Sequence, residues 1–258
     1  MAPKIGPSTL LVLLVAALPL WGGAAGASQG NAPTWTQIDA LNAAKDFDGA
    51  HALLIRVGSA ERDKVDYLWR MARHHFNVSD NTADEEVIER ELYAGFDQAQ
   101  KALAADSANA FAHGYYAILI GRVGQIEGTK QKIKNSYAVR DHTLRAIELD
   151  PINDSWQHVM GQWHFTLADL SWIERNIAAL IYATPPQASF AEASGYFKRA
   201  GELDPDDVRH FLWLGKSQLQ LENDSAAKAS LEIAVSLPPG SDSDTILQEE
   251  ARALLGKL

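Results

Sequence analysis

Residues 161–205 read GQWHFTLADLSWIERNIAALIYATPPQASFAEASGYFKRAGELDP, and this stretch decides the fold. Its second half follows the spacing A-x3-F-x2-A-x4-P, which begins at Ala193 and ends at Pro205. Small residues at such positions let two antiparallel helices approach each other closely, and proline closes the unit. Gly161 supplies the small residue that the preceding helix needs at the same contact. The stretch therefore predicts a helical hairpin.

A short insert separates the two helices of this hairpin. Ser171-x-x-Glu174 is a capping box, in which the two side chains bond free backbone N–H groups at a helix start. Pro185-Pro186 follows and stops any helix that reaches it. We therefore expect an additional helix near residues 172–183, lying against the third of the repeats described next.

The same hairpin register recurs along the chain. The small second-helix position is filled by Ala102, Ala146, Ala200 and Ala234. The interval between the last two is the 34 residues typical of a tetratricopeptide (TPR) repeat, and the earlier intervals are about 10 and 20 residues longer. The small first-helix position recurs in the same way, at Ala72, Ala117, Gly161 and Gly215. Matched registers of this kind predict about four TPR-like hairpins.

These repeats and their flanks predict an all-α, TPR-like α-solenoid, that is, a right-handed superhelix of helical hairpins with an extra insert helix and a C-terminal capping helix. A capping box at Thr34 opens a helical pair before the first repeat. Another box at Thr82 is expected to open the helix that runs to about Ala104. The capping helix spans residues 245–258, and it is needed because each repeat covers only the apolar face of its neighbour.

The composition of the chain excludes several classes of function. With 47% hydrophobic and 22% charged residues, the 258-residue chain is typical of a globular protein. A formal net charge of −10 argues against nucleic-acid binding, which needs a broad basic surface. The chain contains no cysteine, so disulfides, thiolate catalysis and cysteine-ligated zinc are excluded.

Residues 1–27 have two interpretations. A basic residue, an apolar run and an A-x-A cleavage site ending at Ala27 have the form of a secretory signal peptide. Residues 9–27 are also uncharged and close to the ~20 residues that span a bilayer, so they fit an uncleaved membrane anchor. In either case a polar linker, residues 28–33, leads to the helical repeat domain, residues 34–258. The first interpretation places this domain in the secretory pathway, and the second anchors it to a membrane.

Three motifs are more specific than the repeat alanines. They are GTKQKI from Gly128, AIELDP from Ala146 and, above all, LSWIER from Leu170 followed by ATPP from Ala183. Together they resemble the regulator of microtubule dynamics family, and the resemblance covers roughly residues 35–258. It implies a non-enzymatic helical repeat domain. It also implies microtubule or spindle association, as in some members, or membrane anchorage with organelle contact and phospholipid binding, as in others.

A basic stretch is the first candidate binding site. Between residues 122 and 145, six basic residues accompany two acidic ones, although the whole chain has a net charge of −10. Such local charge reversal favours docking of an acidic partner, namely the carboxylate-rich tails of tubulin, by the resemblance, or anionic lipid head groups. The alternative is a solvated helix face. The six candidates are Arg122, Lys130, Lys132, Lys134, Arg140 and Arg145.

The insert is the second candidate site. We expect either ordinary core packing or an apolar pocket for an acyl chain or an amphipathic peptide among its aromatic residues, Trp156, Trp163, Phe165, Trp172 and Phe190. Arg175 is placed to reach a phosphate or carboxylate at the mouth of such a pocket. The candidate pocket residues are Leu170, Trp172, Ile173 and Ile177.

No catalytic or metal-binding motif accompanies these candidates. The sequence has no P-loop and no dinucleotide-binding pattern after a strand. His158 and His164 do not share a helix face, and no carboxylate completes a ligand set at a suitable spacing. We therefore expect no enzyme activity, no metal, no cofactor and no nucleic-acid partner.

Overall fold

The computed structural model describes residues 34–181 and 187–258, and these residues form helices and no strand, which confirms the all-α prediction. None of the helices described is long and apolar enough to cross a bilayer. The leader, the linker and Pro185-Pro186 lie outside the described residues. The α-helices described are α1 (Trp35–Ala43), α2 (Phe47–Leu54), α3 (Val65–Asp80), α4 (Glu85–Ala105), α5 (Ala110–Ile126), α6 (Thr129–Leu149), α7 (Asp154–Ala168), α8 (Trp172–Ile181), α9 (Phe190–Leu203), α10 (Val208–Gln220), α11 (Asp224–Ser236) and α12 (Asp242–Leu255). A short 3-10 helix, Ser59–Glu61, lies between α2 and α3.

The helices pair into hairpins in the predicted order. α1 opens with the capping box at Thr34 and packs on α2. The repeat hairpins are α3–α4, α5–α6, α7–α9 and α10–α11. α12 packs on both helices of the last hairpin, where it extends the apolar cluster around Leu212 and Leu231. The helical pair, the four repeats and the capping helix are therefore confirmed.

The small residues of the repeats lie at the closest helix contacts. A Cβ atom on Gly161 would stand 2.7 Å from the Phe197 ring, and one on Gly215 would stand 2.6 Å from Leu231. Packed interiors do not accommodate such distances, so both positions need glycine. The second-helix alanines are all 0% exposed, at Ala102, Ala146, Ala200 and Ala234. The register read from the sequence is confirmed.

Two helix starts differ from the prediction because another residue caps the helix. α4 begins later than expected, since Asp84 and not Thr82 is its N-cap and accepts hydrogen bonds from the backbone of the first turn. α12 begins at Asp242, before the expected Thr245, because Ser241 caps it. An aspartate cap also carries a charge that the positive helix start favours.

The insert helix α8 lies elsewhere than predicted. We expected it against the third hairpin, but it packs mainly on α6 of the second. α7 and α9 pack directly on each other, which leaves no room for a third helix between them. Arg175 holds the turn from α7 into α8 by donating hydrogen bonds to the carbonyls of Ala168 at 2.8 Å and Leu170 at 2.9 Å. The insert therefore lies on the outside of the hairpin that it interrupts.

Candidate functional site

The N-terminal end of α6 carries three of the predicted basic residues. Lys130 and Lys134 are exposed, and Lys132 is half-buried. Gly128 precedes the helix at φ +90°, in the left-handed region that favours glycine, and has no side chain to cap it. The first turn of α6 contains no acidic residue. Every other α-helix described has a side-chain cap, an acidic first turn or both, so only α6 among them begins with an uncompensated positive end.

The three arginines of the predicted basic stretch are all in ion pairs. One of them lies on α5 and the other two lie towards the end of α6. Their pairs are Arg122–Asp80 at 2.7 Å, Arg140–Asp141 at 2.7 Å and Arg145–Glu148 at 2.9 Å. The structure therefore places the three lysines in the first two turns of α6, whereas the three ion-paired arginines lie on α5 or further along α6.

The start of α8 lies near Lys132, one of these three lysines. Ser171 and Glu174 form the predicted capping box: the Ser171 N–H donates to Glu174 Oε2 at 2.9 Å, and the Glu174 N–H donates to the Ser171 hydroxyl at 3.3 Å. The hydrogen bonds from Ser171 hold the pKa of the Glu174 carboxyl below its ordinary value, and the nearby charge of Lys132 lowers it further. Both Glu174 and Arg175 thus have structural roles at this end of α8.

The predicted pocket residues are divided between the packed and the outer side of α8. Leu170 and Ile177 are half-buried, whereas Ile173 is 65% exposed. The side chain of Trp172 lies outside the described residues. Leu180, seven residues beyond Ile173 and so on the same helix face, is 87% exposed. We call the outward apolar pair Ile173 and Leu180 the α8 ridge.

Three other aromatic residues near the insert belong to the core. The Trp156 ring fills the space in which a Cβ atom on Gly114 of α5 would stand. Trp163 donates a hydrogen bond from Nε1 to the Ser136 carbonyl of α6 at 2.7 Å. Phe165 packs in the cluster that joins α7 to α9 and α10. Each fills a contact between helices, which confirms the core interpretation for these three residues.

A buried polar cluster, which no motif predicted, joins the third and fourth hairpins. The buried rings of His158 on α7 and His210 on α10 meet through their Nδ1 atoms at 2.9 Å. His210 Nε2 lies 3.2 Å from Asp154 Oδ2, and Asp207 binds Arg209 through both carboxylate oxygens. Burial holds the pKa of His158 well below its ordinary value. The ring of His158 is therefore neutral at pH 7, and one proton serves the bond between the two imidazoles.

Three members of this cluster have the spacing of a metal site. Asp154, Asp207 and His210 place ligand atoms within 4.8 Å of one another, although Asp154 and His210 are 56 residues apart in sequence. Burial opposes ionisation of Asp207, but the hydrogen bond and charge of Arg209 outweigh burial and hold the pKa of Asp207 below its ordinary value. A divalent cation would have to displace this guanidinium. We therefore interpret the cluster as a structural ion-pair network.

A family model and individual relatives of this chain point to the same protein family. The family model described as "Regulator of microtubule dynamics protein 1-3" matches residues 34–258. Regulator of microtubule dynamics protein 1 of Bos taurus is 36% identical over 221 residues, which make up 85% of this chain and 69% of the relative. Regulator of microtubule dynamics protein 3 of Rattus norvegicus is 30% identical over 80% of this chain and 44% of its own length. The chain thus corresponds to part of each relative.

A solved structure supports the fold. A thermophilic TPR protein of Thermus thermophilus superimposes with a TM-score of 0.61 over 85% of this chain and 97% of that protein. The two sequences are 12% identical, so the likeness supports the TPR-like solenoid and carries no functional argument.

Proposed function

The chain belongs to the regulator of microtubule dynamics family, and from this premise we propose that it is a non-enzymatic adaptor that associates with microtubules. The family name and the TPR-like fold support an adaptor, because repeat solenoids bind partners on extended surfaces. The proposed partner is an acidic segment, of the kind that tubulin presents in its carboxylate-rich tails.

The uncapped basic start of α6 is the observation that carries this proposal. A helix N-terminus has a partial positive charge from its free N–H groups, so basic side chains there are unfavourable. α6 nevertheless carries Lys130, Lys132 and Lys134 in its first two turns, and the glycine at its N-cap provides no side-chain cap. An acidic partner segment compensates this arrangement, because it neutralises the lysines and accepts hydrogen bonds from the free N–H groups.

The double variant Lys130→Glu/Lys134→Glu tests the proposal. Co-sedimentation with assembled microtubules should give a dissociation constant at least about tenfold weaker than that of the wild type, because attraction becomes repulsion. Binding of the wild type should also weaken as salt rises from about 50 to 300 mM, since exposed charges are screened.

The matched control carries the same charge change elsewhere. Lys198 and Lys228 are exposed on α9 and α11, so Lys198→Glu/Lys228→Glu alters net charge equally without touching α6. This control should bind like the wild type. Equal weakening of both double variants would remove α6 as the site, and a wild-type chain that stays in the supernatant would contradict the function itself.

The α8 ridge favours a second candidate function, binding to an anionic membrane surface. Ile173 and Leu180 are exposed on α8, which packs on α6 with Glu174 near Lys132. Apolar side chains of this kind enter the boundary of the acyl chains while neighbouring lysines contact anionic head groups. Binding would then use an outward ridge, in place of the enclosed pocket that the sequence offered as the alternative to core packing.

Vesicle flotation distinguishes this candidate. Leu180→Asp should lower the fraction bound to vesicles containing phosphatidylserine by about tenfold, because a charge at the ridge opposes insertion. Ile152→Asp is the matched control, since Ile152 is 74% exposed but lies in the turn between α6 and α7. A wild-type chain that fails to float, or an equal loss in both variants, would eliminate the ridge as a membrane site.

A further inference from the structure

Three histidines and a glutamate meet where α2 packs on the first repeat. The rings of His51 on α2 and His74 on α3 are stacked, with their centroids 3.7 Å apart and their planes inclined by 7°. The ring of His75 lies beside that of His74, and their centroids are 5.5 Å apart. His75 Nδ1 in turn lies 2.7 Å from Oε2 of Glu91 on α4. We call these four residues the N-terminal histidine cluster.

The stacked rings of His51 and His74 hold two helices together only while they are uncharged. Imidazole nitrogens bind in the plane of the ring, so two facing rings are placed neither to bond each other nor to share a metal ion. Neutral rings pack as aromatic surface, whereas two positive rings at this separation repel each other. The contact between α2 and α3 therefore depends on the charge of this pair as well as on the apolar cluster around Ile38 and Leu54.

The groups around the pair determine how readily it becomes charged. Burial, followed by the charges of His51 and His75, lowers the pKa of His74 to about 4. Burial and the charge of His75 also lower the pKa of His51. Two carboxylates, Asp48 on α2 and Glu91 on α4, act in the opposite direction on both rings but do not outweigh these effects. Both stacked rings are therefore neutral at pH 7 while α2 is packed on α3.

An ion-pair network in the same cleft between α1, α2 and α3 responds differently to acid. Arg70 and Arg73 of α3 line the cleft together with the stacked rings, and they donate hydrogen bonds to Asp39 of α1 at 2.6 and 2.7 Å. Burial opposes ionisation of Asp39, but the hydrogen bonds and charges of the two arginines outweigh burial and hold its pKa below the ordinary value. These ion pairs therefore persist at pH 5 and keep α1 attached to α3.

We propose that the N-terminal histidine cluster is an acid-sensitive contact that releases α2 from the first repeat while α1 stays anchored to α3. Above pH 6.5 the stacked histidines are neutral in the packed and in the released state, and their full contribution to the contact is present. As pH falls below 6.5, the released rings bind protons that the packed rings do not, so the released state gains population. The cluster shares no residue with the α6 lysines or the α8 ridge, so the proposal is tested independently of the proposed function.

Hydrogen exchange followed by mass spectrometry tests this release. Protection factors, corrected for the intrinsic exchange rate at each pH, report how often a helix opens. Between pH 7 and pH 5 the protection of residues 47–54 of α2 should fall about 30-fold, because His74 alone contributes up to about tenfold per pH unit below 6.5. The protection of residues 35–43 of α1 should change less than about threefold, since the ion pairs of Asp39 remain.

Three variants separate the cluster from general effects of acid. His51→Phe/His74→Phe keeps two rings that can stack but not titrate, so α2 should be protected equally at both pH values. His74→Gln removes the more strongly shifted ring without adding volume, and it should reduce the fall to less than about tenfold. His142→Gln is the matched control, because His142 is also half-buried but lies on α6, and it should keep the wild-type fall.

Three results would overturn the proposal. They are unchanged protection of α2 in the wild type between pH 7 and pH 5, a fall in His51→Phe/His74→Phe as large as that of the wild type, and an equal loss of protection in α1. A melting curve at pH 7 should show that each variant is folded. If the double variant is unfolded, His74→Gln carries the test, and a wild-type fall in it would also overturn the proposal.

Discussion

The third and fourth hairpins are built on the same contact but are connected differently. In each, a glycine of the first helix meets a large apolar side chain of the second, as Gly161 meets Phe197 and Gly215 meets Leu231. Only residues 221–223 join the helices of the fourth hairpin, whereas residues 169–189, which include α8, lie between those of the third.

This difference shows that the glycine contact, and not the connection, sets how two repeat helices pack. Ordering a long connection costs little more than ordering a short one, because loop-closure entropy grows slowly with length. The insert is therefore tolerated once its helix finds a separate surface, and α8 finds it on α6. An insert outside the hairpin is available for binding without disturbing the repeats.

The largest expected effect comes from filling the glycine contacts. Gly161→Leu and Gly215→Leu should each lower the free energy of unfolding by about 3 kcal/mol, because the added side chain meets Phe197 or Leu231. Urea denaturation followed by circular dichroism measures both. If Gly161→Leu lost much less stability than Gly215→Leu, the long connection would allow α9 to move away from α7. The two hairpins would then not depend equally on their glycine contacts.

Gly195→Ala is the control for this pair of variants. A Cβ atom at Gly195, on α9 of the same third hairpin, would meet no atom within 4 Å. Alanine is about 1 kcal/mol more favourable than glycine within a helix, so this variant should be slightly more stable than the wild type. A destabilised Gly195→Ala variant would show that α9 is packed differently from the described arrangement.

The repeats could be predicted from the sequence because their signal is local. Small residues recur at a fixed spacing along each helix, and the buried alanines such as Ala200 confirm every position of the register. The pairing of Arg145 with Glu148 could also have been predicted, because side chains three residues apart are neighbours on a helix surface. The uncapped start of α6 could have been predicted as well, since Gly128 provides no side-chain cap and lysines follow at positions 130, 132 and 134.

Contacts between distant segments could not be predicted in this way. His210 meets Asp154 across 56 residues, and Lys45 meets Asp244 across 199. Neither pair has a spacing that a repeat or a helix period would reveal, because both depend on how successive hairpins are stacked. The position of α8 was wrong for the same reason, since its preference for α6 follows from the direct packing of α7 on α9.

The stability of the protein should depend on pH because of the histidine pair, His158 and His210, that joins the third and fourth hairpins. The pKa of His158 lies well below the ordinary histidine value of 6.5, mainly because the ring is buried. Above pH 6.5 the ring is neutral in both states, and its full contribution to stability is present. As pH falls below 6.5, the unfolded chain binds a proton that folded His158 does not. The free energy of unfolding should therefore decrease by up to about 1.4 kcal/mol per pH unit.

Urea denaturation between pH 7 and pH 5 measures this slope in the wild type and in His158→Gln. The variant should be less stable at pH 7 but should show a flatter pH dependence, because it lacks the titrating ring. His142→Gln, on α6 of the second hairpin, should remove a smaller part of the slope, since His142 is only half-buried. If the slope of unfolding free energy against pH were unchanged in His158→Gln, the pH dependence would arise from other groups and not from the junction of the third and fourth hairpins.

The smallest effect should come from the helix caps on either side of the insert. Ser171 caps α8 and Ser189 caps α9, and each serine hydroxyl accepts a hydrogen bond from the N–H group three residues on. Removing such a cap costs a helix about 1 kcal/mol. In Ser189→Ala this loss should appear in the global free energy of unfolding, because α9 carries buried Phe197 of the repeat contact.

In Ser171→Ala the same loss should remain local. α8 is not part of the α7–α9 contact, so the urea midpoint should stay close to that of the wild type while amide exchange in residues 173–181 becomes about fivefold faster. Hydrogen exchange followed by mass spectrometry measures the local effect alongside the midpoint. If Ser171→Ala lowered the midpoint as much as Ser189→Ala, the insert would be an integral part of the third hairpin, and the glycine contact alone would not explain how that hairpin is held together.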